Sequence, residues 1–169
     1  MIKFAEPVRK TMLVACAGTI LLVIAGVAGL MFWVWPLKDD SSDAIWRLAS
    51  AAGDGQLRLA DAVPGKWDHV YVFPPYARRS SVCQTLGVAQ DECERVIAFE
   101  SNDDGAMSLA FVDAGRVVRY VGHSRANGDF VAAAHARPVA RAQAVYRIVS
   151  GAPAYNGRRA LALLPAGQP

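Results

Sequence analysis

An α+β domain behind a single membrane-spanning helix is the fold class this sequence predicts, and three observations predict it. Residues 12–35 form a run of 24 positions without a charge. Further on, β-branched and aromatic runs alternate with tight-turn residues. Between them lie short stretches with the apolar spacing of helices, so neither element type dominates. The chain has 169 residues, enough for one domain of ordinary size, and it is 53% hydrophobic and only 20% charged, which argues against disorder. A formal charge of +3, spread rather than clustered, excludes the basic footprint that nucleic acid requires.

Within residues 12–35 only Gly18, Thr19, Gly26 and Gly29 fall outside the hydrophobic set. At the helical rise this run is about 36 Å long, enough to cross a hydrocarbon core with some tilt. Lys3, Arg9 and Lys10 precede it, while Lys38 and Arg47 lie close on the far side, so the bias is modest. The basic bias predicts a cytoplasmic tail at 1–11, a transmembrane helix at 12–35 and a periplasmic domain at 36–169. Trp33 and Trp35 suit the outer interface. A cleaved signal peptide would have a shorter apolar region ending in small residues, whereas this one ends in Phe32-Trp33-Val34-Trp35-Pro36. Leu13-Val14-Ala15-Cys16 looks like a lipobox, but the bulk of the apolar run follows the cysteine instead of preceding it. Cys16 therefore reads first as a thiol within the helix, with the lipobox as the lesser alternative. Ala15, Gly18, Ala25, Gly26 and Gly29 could offer a small-residue face to another helix.

Residues 36–169 keep 15 basic and 14 acidic side chains and so carry no field that would steer a polyanion. Ile45, Leu48, Ala49 and Ala52 have the i, i+3, i+4, i+7 spacing of a helix at about 43–52, with Ser42 as its cap and Gly53 at its end. Within Trp67 to Tyr76, the run Val70-Tyr71-Val72-Phe73 before two prolines reads as a central strand covered on both faces. Ser80 can cap a second helix through Leu86, closed by Gly87. Three further runs, 95–99, 109–112 and 116–121, are separated by Asn102-Asp103-Asp104-Gly105 and Asp113-Ala114-Gly115, which predicts an antiparallel meander. Alternation of Val117, Arg119 and Val121 with Val118 and Tyr120 gives its last strand one partly wet face. Residues 138–149 fit a turn and then a strand, and 161–169 carry no clear pattern.

Cys83 and Cys93 are the two cysteines beyond the apolar run. In an oxidising compartment an even count permits one bridge, closing a loop of about eleven residues. Zinc is a poor fit, because Cys-x9-Cys lacks close ligand pairs and no histidine neighbours it.

Candidate chemistry is sparse. His69, His123 and His135 are the only histidines and none has metal-ligand spacing. His123-Ser124 with Asp129 contains the residue types of a nucleophilic triad, but no Gly-x-Ser-x-Gly turn exposes a serine. Asp103-Asp104-Gly105 lacks the alternating ligands and closing glutamate of a calcium loop and reads as a tight turn. Asp91, Glu92 and Glu94 read as a solvated charge run. Trp67, Tyr71, Phe73 and Tyr76 could line a groove, although aromatics so placed more often fill a core. Neither a cofactor nor a catalytic residue is predicted.

The order of Trp67-Asp-His-Val-Tyr-Val-Phe-Pro-Pro-Tyr76, then Leu109 to Tyr120, then Arg125-Ala-Asn-Gly-Asp-Phe130 resembles a group of small exported bacterial proteins, membrane-anchored or lipoprotein-like, to which no function is assigned. The resemblance covers about residues 40–150. It implies a bacterial envelope location and a small α+β domain, and it carries no catalytic residue across. The expected function is protein binding by an anchored periplasmic domain, as an accessory or immunity-type factor, with Arg125, Asn127, Asp129 and Tyr76 as the candidate contacts. Its expected partners are the lipid bilayer, through 12–35, and an envelope protein. The alternative is a periplasmic hydrolase using His123 and a serine.

Overall fold

The computed structural model describes residues 39–134, 137–153 and 159–166. The 12–35 span, the 1–11 tail, Cys16 and His135 lie outside them. Among the described residues no helix is long and apolar enough to cross a membrane. What is described is an α+β unit with two antiparallel sheets and short helices.

Chain order begins with helix α1 (Ser41–Ala52), strand β1 (Gln56–Arg58), the single turn α2 (Leu59–Ala62) and strand β2 (His69–Phe73). Helix α3 (Arg79–Leu86) and the turn α4 (Cys93–Val96) follow. The hairpin β3 (Ala106–Asp113) and β4 (Arg116–Ser124) comes next, then β5 (Val139–Ala140), β6 (Val145–Pro153) and β7 (Arg159–Pro165), with 3-10 turns at 125–127, 131–133 and 141–143. The strands make a three-stranded sheet ordered β1-β6-β7 and a four-stranded sheet ordered β4-β3-β2-β5, antiparallel throughout.

Strand β3 shows why the layers stack as they do. Met107, Leu109 and Phe111 point into a large core shared with Val70 and Val72 of β2, Ile45 and Ala49 of α1, and Tyr146, Ile148, Leu161 and Leu163 of the other sheet. Ala110 points the opposite way, into a second core with Phe73, Val82, Cys83, Cys93 and Ile97. Period-2 alternation thus feeds two cores from one strand, which is why its sequence is apolar almost without interruption. The β3–β4 hairpin turns on Ala114 and Gly115, both with positive φ (49° and 76°), as a two-residue hairpin loop of matching twist requires. An irregularity between Phe111 and Val112 leaves Val118 out of register, and Val118 is 51% exposed.

Several expectations are corrected. Residues 95–99 are not a strand: Cys93–Val96 is a helical turn and 98–100 have no regular structure. The physical reason is covalent, since Cys93 is bonded to Cys83 on α3 and its segment folds back under the sheet, burying Ile97. The slot beside β3 goes instead to β2, so the meander reduces to one hairpin plus a strand from earlier in the chain. Asn102–Gly105 therefore leads into β3 and joins no two strands, although it is a tight turn in which Asp103 Oδ1 accepts from Gly105 N at 2.7 Å. Ser42 and Ser80 lie inside their helices, whose N-caps are Asp40 and Arg78. The buried stripe of α1 is Ser41, Ile45 and Ala49, while Leu48 is 39% exposed. Residues 159–165, most of them from the patternless tail, complete the second sheet as β7. The expected second helix, its Gly87 terminus at φ 67°, the central position of β2 and the turn-then-strand at 138–149 all appear.

The Cys83–Cys93 bridge joins α3 to α4 with Cα atoms 5.8 Å apart. Reduction is expected to lower stability by about 2–3 kcal/mol through the freed loop, read as a drop in denaturant midpoint with and without reductant. In the larger core the Tyr146 ring meets Phe130 edge-on at 4.9 Å, but its hydroxyl has no hydrogen-bond partner among the described residues and burial pushes its pKa up to about 12. An unpaired buried hydroxyl costs more than a methine of the same ring. Tyr146→Phe is therefore expected to leave stability unchanged or raise it by about 1 kcal/mol, and a clear loss in thermal melting would show that the hydroxyl is satisfied.

Candidate functional site

Two places bring polar side chains together. The first is the junction of α1 with the end of β4. His123, 2% exposed, sits on β4 with Nε2 at 2.6 Å from the Gly128 carbonyl and Nδ1 at 3.0 Å from Ser42 Oγ. A carbonyl can only accept, so Nε2 carries the proton and Nδ1 is left to accept from the Ser42 hydroxyl. Ser42 Oγ in turn accepts from Ser124 N at 3.2 Å and from Asn127 Nδ2 at 3.1 Å. The other hydrogen of that amide reaches Asp43 Oδ1, also at 3.1 Å. Burial is the main influence on His123 and lowers its pKa, opposed by the Gly128 bond and the Asp129 charge. The imidazole is thus held neutral.

Of the expected binding trio, one member, Asn127, bonds into this junction. Asn127 is buried between β4 and α1. Arg125 donates to the Asp104 carbonyl and to Asp129 Oδ2, each at 2.7 Å. Asp129 also accepts from Val131 N through its other oxygen, and its backbone pairs with Leu161 and Leu163 of β7. These residues shape the loop and join it to the second sheet.

The triad residue types do not converge as the local sequence suggests. Ser124 Oγ accepts from Ala126 N, Asp129 is engaged by Arg125, and the serine on His123 is Ser42, distant in sequence. Ser42 Oγ donates its one hydrogen and has both lone pairs occupied, with a carbonyl in place of the orienting carboxylate. Such an oxygen is a fully bonded anchor, with no lone pair directed at a substrate.

The second place is a cleft of about 580 Å3 between the Pro74–Tyr76 turn, the start of α3, α4 and residues 100–102. Of the expected aromatic groove, Trp67 and Phe73 are core. Trp67 is fixed by its indole bond to the Val63 carbonyl and by the Arg141 guanidinium 4.6 Å from its ring. Tyr71 stacks on Phe73. Only Tyr76 projects, 58% exposed at φ 62°, a left-handed conformation uncommon for an aromatic residue. Partial desolvation and the Asp104 and Asp103 carboxylates raise its phenol pKa, so the hydroxyl stays protonated. Charges of both signs line the walls: Arg79 faces Glu94 at 3.5 Å, the Arg79 backbone N–H donates to Glu100 Oε1 at 2.7 Å, and Arg78 is exposed. Sequence reasoning singled out Tyr76, read Glu94 as part of a solvated charge run, and missed Arg78, Arg79 and Glu100. The only available signal was the Pro-Pro pair, which halts β2 and turns the chain outward.

A second cleft, about 500 Å3, lies between the α3–α4 connection and the β3–β4 turn, with Arg95 paired to Glu92 at its edge. Among the described residues no group of three or more His, Cys, Asp or Glu side chains could hold a metal ion. Comparison of the chain with protein-family models, with curated proteins and with solved structures gives no match.

Proposed function

We propose that this chain is a single-pass protein of the bacterial inner membrane, tethered by residues 12–35 with residues 1–11 in the cytoplasm. Its periplasmic domain binds a protein partner, as an accessory or immunity-type factor, in keeping with the resemblance to small exported envelope proteins. The observation that carries the binding reading is Tyr76, an exposed aromatic held in a left-handed conformation at the rim of a cleft with mixed charge. Backbone strain that persists in a folded chain is a pointer to function, and tyrosine beside arginine is the composition of interface hot spots. The Cys83–Cys93 bridge supports export, because such bonds persist in oxidising compartments. The hydrolase alternative draws less support, since its histidine and serine are both fully bonded.

The test is a photocrosslinking residue placed at position 76 in living cells, with a second at exposed Val118 as control. A reproducible adduct from 76 that is absent from 118, and that disappears with Arg78→Glu, is the expected result. No adduct at 76, or equal adducts at both positions, would reject the cleft as the binding surface. Tethering is tested separately. The chain should stay with the membrane in alkaline carbonate, and a soluble chain whose first residue lies beyond 35 would overturn the anchor.

A further inference from the structure

We propose that His123 is an acid-operated catch: neutral, it fastens the N-terminal turn of α1 to the end of β4, and protonated, it lets that turn go. The inference rests on valence. With Nε2–H on the Gly128 carbonyl and Nδ1 accepting from Ser42, each hydrogen and lone pair of the His123 ring nitrogens and of Ser42 Oγ has one partner. A second proton on Nδ1 changes that count. Nδ1–H then points at an oxygen whose lone pairs already serve Ser124 N and Asn127 Nδ2, so three donors compete for two lone pairs and one of the bonds that fasten the turn is given up.

The surroundings offer the cation little relief. From the loop, Asp129 is the one carboxylate that attracts it, and it is already held by Arg125 and Val131 N. From α1, Asp43 is engaged with Asn127. From β4, Arg119 is bonded to Ser41 Oγ at 3.3 Å and paired with Asp39 at 3.7 Å, so the Asp39 carboxylate is already engaged. Beyond these, His123 meets the edge of Phe130 at 5.2 Å. Burial outweighs Asp129, which is why the pKa is lowered and the neutral form is the folded one.

The part that yields is α1. Its first turn is attached chiefly by polar contacts, through Ser41, Ser42, Asp43 and the preceding Asp39, while its apolar hold is Ile45 and Ala49, with Ala44 and Trp46 packed against the same core from partly buried positions. Twelve residues do not sustain a helix without packing. The catch operates whether or not the domain is tethered, so its failure and the failure of the binding reading are separate results.

A base whose folded pKa lies below its free value loses stability as pH falls. Opening of α1 should therefore be independent of pH above the ordinary histidine value of 6.5 and should increase about tenfold per pH unit below it, until the folded pKa is reached. The experiment is hydrogen exchange on the full chain in detergent, corrected for intrinsic rates, from pH 7.5 to 5, with the His123 ring followed by NMR in the same samples. The expected result is loss of protection over 41–52 and 124–128 tracking the His123 titration, with β3 better protected at every pH, and no pH slope in His123→Gln. Should that variant fail to fold, the wild-type comparison still decides. A flat α1 profile while His123 titrates, protection falling equally in α1 and β3, or an unchanged slope in His123→Gln would each overturn the catch.

Discussion

Phe130→Ala is expected to destabilise the chain by about 3–5 kcal/mol. The ring is fully buried and stands between two others, edge-on to His123 at 5.2 Å and to Tyr146 at 4.9 Å, so its removal empties the point where α1, β4 and the second sheet share a core. Collapse into the space is restricted, because the neighbouring backbone is held by Asp129, whose N–H and C=O both pair with β7. Denaturant unfolding checks it: the midpoint should fall with the slope unchanged. Phe130→Leu, which refills most of the volume, should cost about 1–1.5 kcal/mol. A loss below about 1 kcal/mol for the alanine variant would mean the site repacks and the core is less shared than described.

Gly128→Ala is the second large effect, about 3 kcal/mol of destabilisation from two sources. At φ 128°, ψ 120° the residue occupies backbone space that is essentially glycine's alone. A Cβ there would also lie 2.7 Å from Leu163 Cδ1 and 3.6 Å from Ile45 Cγ2, and Leu163, fully buried in the core, has little room to give. The internal control is Gly87→Ala, at φ 67° with nothing within 4 Å of the added atom, where the left-handed conformation alone should cost about 1 kcal/mol. Thermal melts of the pair separate the terms, and equal losses would show that the Leu163 contact is relieved for free. Because the Gly128 carbonyl is the acceptor for His123 Nε2, the alanine variant should also raise exchange over 41–52.

These two positions mark where sequence reasoning stops. Arg125 to Phe130 was legible as a loop with charged and amide side chains, the usual surface vocabulary for partner contact. Asn127 of that loop turns inward, because Ser42 reaches it from 85 positions earlier and no local pattern carries that pairing, while Arg125 and Asp129 pair with each other and stay about one third exposed. His123 was legible as a lone histidine just beyond the strand read at 116–121. That its acceptor is a glycine carbonyl and its donor a helix serine depends on how α1 packs. Tyr76 kept its expected exposure because two prolines act on the chain locally, whereas the charges around it come from three separate stretches, 78–79, 94 and 100, joined by the folding of that segment.

By itself the sequence determined what depends on neighbours along the chain: the α1 and α3 helices through apolar spacing and terminal glycines, the β2 strand, the β3–β4 hairpin through its Asp-Ala-Gly turn, and a cysteine pair close enough to bridge. Tertiary structure alone decided that 95–99 would be pulled out of the sheet, that 161–165 of the unpatterned tail would join β7 as the partner of β6 in the other sheet, and that Ser42 would serve as an anchor for His123 and not as a helix cap. The division has one physical cause. Propensity, turn chemistry and short loops act over a few residues, but strand pairing and buried hydrogen bonding are settled by whichever partner, however distant, satisfies a group that water can no longer reach.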